Sequence, residues 1–408
     1  RVSFRYIKVK TKGQIEGEDL LAPKLRFKEF KDELKKYKLK NIVNFYKGNN
    51  LSKSDITDNG IYPCILYGEL YTKYSEIAYH ICSKTNSYTK NQFISKQNDV
   101  LIPCSGETAI DISTSTCLLE DNILIGGDLN VLRPINQDGK YLSYLLCNKK
   151  RIIIAKYAQG DSIVHLYGEK ISNIDVDLPS KKEQEKIADF LSLLDKKIEL
   201  QQRRIEALKI YKKGLIQQLF NLNDCEEKHV SDFGNILTGT TPSKAISKYW
   251  TNGNIAWITP TDITESKDIY TSNEKLTIDG LNAGKFIPAG SILITCIASI
   301  GKNAILKVNG SCNQQINAII PNDNFNPDYL YYLFELKRDY LLSIAGTSAT
   351  SIINKSAFEK LVFKVHDIKV QNKIALILNC LELKFETEKS KLAKLRLLKE
   401  SLLQQMFI

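Results

Sequence analysis

Apolar residues recur every seven positions in two long stretches of the chain, 183–220 and 370–407, and the two stretches align without a gap at a constant offset of 187 residues. In the first, one seam runs Ile187, Leu194, Gln201, Leu208, Leu215 and the other Leu191, Ile198, Ile205, Lys212, Leu219. In the second the seams are Ile374, Leu381, Glu388, Leu395, Leu402 and Leu378, Phe385, Leu392, Lys399, Met406. This a/d pattern, held over about five heptads, predicts two helices of about 57 Å each. Both break the apolar seam at the same two slots, Gln201 with Glu388 and Lys212 with Lys399. An antiparallel coiled coil is expected, in the register that sets break against break. Leu194 then meets Met406, Gln201 meets Lys399, Lys212 meets Glu388 and Leu219 meets Leu381. A parallel pairing would oppose Lys212 and Lys399. Buried polar layers of this kind fix register at some cost in stability.

Elsewhere the pattern is short and β-like. Runs at Tyr62–Tyr67, Val100–Ile102 and Leu129–Leu132 are separated by turn signals such as Asp58-Asn59-Gly60 and Gly126-Gly127. A helical run follows at Lys140–Lys150. A strand at Ile174–Leu178 is stopped by Pro179, and Ser180 with Glu183 has the spacing of a capping box. After a polar linker at 221–229 the second half retraces the first. Tyr62–Ile65 corresponds to Ile255–Ile258, Asp99–Pro103 to Ser291–Thr295, Leu129–Pro134 to Ile316–Pro321, and 141–146 to 329–334. The expected fold is therefore α+β, with two tandem globular domains, each followed by a long α-helix, and a pseudo-two-fold antiparallel helix pair. The boundaries read as an N-terminal tail (1–24), a first globular domain (25–179), a first spacer helix (180–222), a second globular domain (223–365) and a second spacer helix (366–408). Two similar readers on a rod suit duplex DNA, which has local two-fold axes and a repeat of about 34 Å.

The net charge is +11, with a sequence pI near 9.0. Residues 1–53 hold 15 Lys and Arg against 6 Asp and Glu, so most of the excess lies there. An anionic partner fits this balance. Nine cysteines are scattered without C-x-x-C spacing, and the four histidines stand apart from them, which argues against a zinc site and for reduced, cytoplasmic thiols. No apolar run approaches membrane-spanning length, and no signal peptide opens the chain, so no membrane is implied.

Catalytic constellations are not found. Asn326-Pro327-Asp328-Tyr329 lacks the second proline of an adenine methyltransferase tetrapeptide, no glycine-rich cofactor loop accompanies it, and it reads as a helix cap. Asp262 with Glu265-Ser266-Lys267 is too tightly spaced for a nuclease carboxylate cluster. Ile300-Gly301-Lys302-Asn303 lacks the first glycine and the hydroxyl of a phosphate loop. No cofactor is expected on the chain. Loops rich in amide, hydroxyl and lysine groups suit phosphates and base edges instead. The candidate DNA contacts are Lys47, Asn49, Asn50 and Lys53 with their counterparts Thr240, Thr241, Ser243 and Lys244, together with Tyr71, Lys73 and Tyr74. The loops at Gln159 and Ser162 and at Thr347, Ser348 and Thr350 complete the set.

Together these residues resemble a known family, the specificity (S) subunits of type I restriction-modification systems. The likeness is carried by Pro23-Lys24-Leu25-Arg26-Phe27, by Leu178-Pro179 with Glu183-Gln184 and Lys186-Ile187-Ala188, and by Gln217-Gln218-Leu219-Phe220 repeated as Gln404-Gln405-Met406-Phe407. The second helix departs from it, with Val365-His366 in place of Leu-Pro and Val370-Gln371 in place of Glu-Gln, which weakens its capping box. The resemblance implies a non-catalytic subunit whose two target-recognition domains read the halves of a bipartite, asymmetric site on double-stranded DNA. It implies two methyltransferase (modification) subunits as partners, bringing S-adenosylmethionine, and restriction subunits that translocate and cut. Lys196, Lys197, Arg203, Arg204 and Lys209 on the outward helix faces are candidate docking residues. Two other readings are open at this point. An autonomous methyltransferase or nuclease would show activity as the purified chain. A coiled-coil scaffold without DNA specificity would lack steeply salt-dependent DNA binding.

Overall fold

The computed structural model describes residues 4–6, 23–160, 164–221, 224–345 and 352–407. The short β-like runs become two sets of sheets, one in each of two units. The first unit is built on Arg1–Gln202 with Lys391–Ile408, and the second on Arg203–Ser390, so each takes part of both long helices.

In the first unit a five-stranded sheet runs in the order Val43–Lys47, Leu129–Pro134, Val100–Pro103, Thr116–Leu118, Ile77–Ala78. Neighbours are antiparallel except for the last, parallel pair. A three-stranded sheet (Leu124–Ile125, Tyr62–Ile65, Ser83–Thr85) and the ribbon Lys35–Lys38 with Asp175–Leu178 complete the frame. The second unit repeats this order strand for strand. Its five-stranded sheet is Gly234–Thr238, Ile316–Pro321, Ile292–Thr295, Asn303–Leu306, Asp268–Ile269, and its last pair is again parallel. Its three-stranded sheet has Ile255–Ile258 at the centre, and its ribbon is Glu226–His229 with Val362–Val365.

The central strands are buried on both faces, which is why they read as continuous apolar runs. Alternation sends their side chains to two different cores. Val100, Ile102 and Leu132 join Leu142, Leu145 and the long-helix residues Leu191 and Met406, whereas Leu101, Leu129 and Val131 join Ile65 and Ile125. In the second unit Ile292, Ile294 and Ile319 face Tyr329, Leu333 and Leu378, and Leu293, Ala304 and Ala318 face Ile258 and Ile263. The strand Phe4–Tyr6, within the expected tail, pairs antiparallel with Leu25–Phe27.

The long helices span Lys181–Phe220 and Ile368–Met406. In the second unit they run antiparallel, since Arg204 meets Glu388 at 3.6 Å while Lys212, further along, meets Glu382 at 2.5 Å. The expected polar layers are corrected here. Lys212 bonds Glu382 rather than Glu388. In the first unit Lys399 bonds Asp195 at 2.8 Å and Glu76 at 2.8 Å rather than Gln201. Both lysines take a partner six residues earlier than expected, close to one heptad. Asp195 and Glu382 stand at the repeat offset of 187, so the two ion pairs are equivalent. Each lysine also lies 5.6 Å from the ring centroid of an equivalent tyrosine, Tyr144 for Lys399 and Tyr332 for Lys212. The register thus follows acids beside the seam and groups from the globular parts, which a/d positions alone do not represent.

The helix starts also differ from the expected capping box. Arg26 holds Glu183 by two bonds of 2.6 Å, and both side chains are buried, so this carboxylate is drawn away from the cap. The second helix, without a glutamate at that place, is capped by Asp367, whose carboxylate accepts from the N–H groups of Lys369 and Val370. Gln184 and Gln371 are equivalent bolts. Gln184 accepts from the Asp138 N–H and donates to the Pro179 carbonyl. Gln371 accepts from the Asn326 N–H and donates to the His366 carbonyl. Asp138 and Asn326 in turn cap the helices Gly139–Cys147 and Pro327–Leu336, so Asn326 is the cap read from the sequence.

Candidate nucleic-acid interface

Each five-stranded sheet begins with an edge strand that ends in a tight glycine turn. In the first unit Lys47 closes the strand, opposite Asn130, and Gly48 follows. A Cβ on Gly48 would stand 2.0 Å from the Gly126 carbonyl oxygen. In the second unit Thr238 is opposite Asn317, and a Cβ on Gly239 would stand 2.1 Å from the Asn313 carbonyl oxygen. Only glycine lets the backbones approach so closely.

The loops after these turns divide into committed and open side chains. Asn49 holds the 91–93 segment, donating to the Asn91 carbonyl (2.9 Å) and accepting from the Phe93 N–H (2.8 Å). Asn50, at φ 50°, and Lys53 are exposed. Thr241 donates to Gln314 at 2.5 Å, and the Ser243 carbonyl accepts from the Trp250 indole at 3.1 Å. The Thr240 carbonyl accepts from the Trp257 indole at 3.1 Å, while its own hydroxyl is buried with no partner among the described residues. Lys244 bonds Glu274 at 2.6 Å and lies 3.5 Å from the Trp250 ring centroid and 4.9 Å from that of Trp257.

Tyr71, Lys73 and Tyr74 are tied into the fold. Lys73 pairs with Glu69 at 2.7 Å, and this bond holds its ammonium above the ordinary range. The Tyr74 hydroxyl accepts from the Cys82 N–H at 2.8 Å, and its ring packs on the apolar core. Tyr71 is half-buried, which raises its phenol. Gln159 exchanges two backbone hydrogen bonds with His165, of 3.0 and 2.8 Å. Ser162, Thr347, Ser348 and Thr350 lie outside the described residues.

The structure brings Lys47 and, through His165, Gln159 to the rim of a pocket of about 190 Å³ lined also by Cys104, Ser105, Asp128 and Tyr167. Ser105 Oγ is 3.1 Å from His165 Nδ1. Burial pushes the Cys104 thiol up to about 11, with Lys47 pulling it down and Asp128 pushing it up. Lys47 and Asp128 are exposed. The strand registers identify the equivalent place in the second unit. The Cys104 N–H donates to the Asp128 carbonyl, as that of Cys296 does to Gln315, and Leu166 N–H donates to Cys104 as Ile353 does to Cys296. Ser105 pairs with His165 and Ile297 with Ile352. So Lys47, Ser105, Asp128 and His165 correspond to Thr238, Ile297, Gln315 and Ile352. Of these residues only Lys47 was a candidate from the sequence. The signal was present, because Asp128 and Gln315 immediately precede strands already matched, and Ser105 and Ile297 follow matched cysteines.

Among the described residues no group of three or more His, Cys, Asp or Glu side chains is placed to hold a metal ion, and no helix is long and apolar enough to cross a membrane. The arrangement offers hydrogen-bond donors, acceptors and apolar contacts on rigid strand ends.

Known proteins share both sequence and fold with this chain. Residues 31–209 and 223–397 each match the family described as Type I restriction modification DNA specificity domain. The specificity subunit of the type I restriction enzyme MjaIX from Methanocaldococcus jannaschii is 34% identical over 172 residues, which is 41% of this chain and 40% of that protein. That of HindI from Haemophilus influenzae is 35% identical over 143 residues, 33% of this chain and 30% of that protein. The matched part thus spans less than half the length of these relatives. The crystal structure of a type I restriction-modification S subunit from M. genitalium covers 95% of this chain and 99% of its own, with a TM-score of 0.64 at 16% identity, a likeness of fold. With two copies of one domain covering most of its length, the chain belongs to the type I restriction-modification DNA specificity family.

Proposed function

We propose that this chain is the DNA-recognition subunit of a type I restriction-modification complex, binding a bipartite, asymmetric target on double-stranded DNA in the cytoplasm. Each unit acts as one target-recognition domain. The observation that carries this reading is the duplication itself. One sheet order occurs twice, yet the groups at equivalent strand ends differ, exposed Lys47 against half-buried Thr238 and exposed Asp128 against half-buried Gln315. A duplicated frame with different tips suits two different half-sites. The chain supplies recognition, and its partners supply chemistry: two methyltransferase subunits that carry S-adenosylmethionine, and restriction subunits.

Each long helix carries exposed apolar and basic side chains that suit docking. Leu193, Leu200 and Ile210 on the first and Leu376, Leu383 and Leu397 on the second are between 65 and 74% exposed. Of the basic candidates there, Arg204 is engaged by Glu388, and Lys196 lies 5.6 Å from the Tyr79 ring centroid. Apolar rows of this kind, rimmed by charge, mark protein contacts.

The test is to map methylated adenines in cells that carry this chain with its methyltransferase partner, against cells that lack the chain. The expected result is a new split motif, two short half-sites around a fixed gap. If no adenine mark depends on the chain, the restriction-modification role is wrong and a scaffold role takes its place.

A further inference from the structure

Resting on that function, we propose that Lys47 and Asp128 read one G·C base pair in the half-site of the first unit, and that Gln315 with Ile297 and Ile352 reads an A·T pair at the equivalent place in the second.

Most candidate side chains in these loops are spent on the fold, as Asn49, Thr241, Lys73 and Tyr74 show. Lys47 and Asp128 are not. Both are exposed and line the same pocket, and among the described residues neither side chain makes a hydrogen bond or an ion pair. Lys47 ends a sheet strand, and Asp128 (φ 58°) directly precedes the strand it pairs with, so a rigid ladder sets their spacing. An ammonium beside a carboxylate is poorly suited to a phosphate, because the acid repels it. It does suit a base pair that presents acceptors on one side and a donor on the other. In the major groove guanine offers O6 and N7 as acceptors and cytosine offers an amino donor. Ser105 and His165, bonded to one another, line the same pocket.

The second unit changes each of these groups. Thr238 replaces the lysine, and its hydroxyl is turned inward to Asn317 at 2.7 Å. Gln315 replaces the aspartate. Its Oε1 accepts from Asn313 at 3.0 Å, which orients the amide, while its Nε2 has no partner among the described residues. An oriented amide is the side chain that pairs with adenine N6 and N7. Ile297 and Ile352 replace Ser105 and His165, and Ile352 is 49% exposed, an apolar surface matched to a thymine methyl.

The experiment uses the assembled methyltransferase complex, with adenine methylation mapped across cellular DNA for the unaltered chain and for Lys47→Ala, Asp128→Ala, Gln315→Ala and Lys47→Arg. With the unaltered chain, one half-site contains an obligatory G·C pair and the other an obligatory A·T pair. Lys47→Ala and Asp128→Ala relax the same G·C position, with a loss of discrimination on the order of tenfold or more, and leave the other half-site intact. Gln315→Ala relaxes the A·T position in the opposite half. Lys47→Arg keeps the motif, because arginine also reads guanine, and so shows that the altered strand end still folds. A uniform fall in methylation with no base position relaxed assigns Lys47 to phosphate binding and overturns the inference. Relaxation in both half-sites by one substitution overturns it as well. A split motif from the unaltered chain that none of these substitutions changes refutes the inference alone, whereas the absence of any split motif removes the proposed function and this inference together.

Discussion

Replacing Lys399 by methionine removes the cation that pairs with both carboxylates of a buried acidic site. Its ammonium lies 2.8 Å from Glu76 and 2.8 Å from Asp195, and the three side chains are 17, 13 and 10% exposed. Burial alone would lower the lysine, but the two carboxylates outweigh it and hold the ammonium above its ordinary value. Its contribution is therefore fully present below the ordinary lysine value of about 10.4 and is lost as pH rises through the higher folded value. Lys399→Met strands two carboxylates in low dielectric, and breaking a buried pair costs about 3–5 kcal/mol. For a unit of this size that corresponds to roughly 6–20 °C in melting temperature. The triple variant Lys399→Met, Asp195→Asn, Glu76→Gln strands no charge and is expected to recover most of the loss. Thermal unfolding followed by circular dichroism reads the whole chain. Tryptophan fluorescence reads the second unit, because Trp250 and Trp257 are the chain's two tryptophans. Lys212→Met, which strands Glu382, is expected to shift the fluorescence transition. A loss below about 1 kcal/mol for Lys399→Met, or a triple variant no more stable than the single one, would refute the reasoning.

Arg26→Met leaves the buried Glu183 carboxylate without its bidentate partner and is expected to cost about 3–5 kcal/mol, measured by denaturant unfolding. Gln371→Ala removes the bolt between the second long helix and the cap of Pro327–Leu336. It leaves the buried His366 carbonyl and the Asn326 N–H without that partner, for a loss of about 1–3 kcal/mol in the fluorescence transition. Cysteine alkylation at pH 8, read by mass spectrometry, should mark exposed Cys82 and Cys380 first. Burial pushes Cys64 and Cys104 up to about 11 and Cys296 and Cys312 up to about 12, which leaves about one thiolate in a thousand or fewer at that pH. Labelling of Cys296 as fast as Cys82 would contradict the burial assigned to it.

Much of the architecture was legible because it rests on local periodicity. The heptads at 183–220 and 370–407 announced both long helices, since a seven-residue apolar repeat has no stable use in a strand. The offset of 187 announced the duplication, and Val100–Pro103 and Ile292–Thr295 could be matched because a strand buried on both faces must be apolar throughout. The Asn326 cap was readable for the same local reason.

What needed the tertiary structure was every pairing between distant groups. Helix register turned on Asp195 and Glu382, and on Glu76 and Tyr144 from the globular part, because a buried ammonium takes whichever carboxylates the fold brings within 3 Å. Glu183 had the spacing of a capping residue, yet Arg26, 157 positions away, holds it with a stronger bond. Among the loop candidates, sequence could name residues of the right chemistry but not say which were already engaged. Asn49 and Lys47 stand two residues apart, and only the folded chain shows the first consumed by its neighbours and the second left open beside Asp128. Periodicity is a property of adjacent residues and survives in the bare sequence. The partner of a polar group is decided by chain-wide closure, and that exists only in the fold.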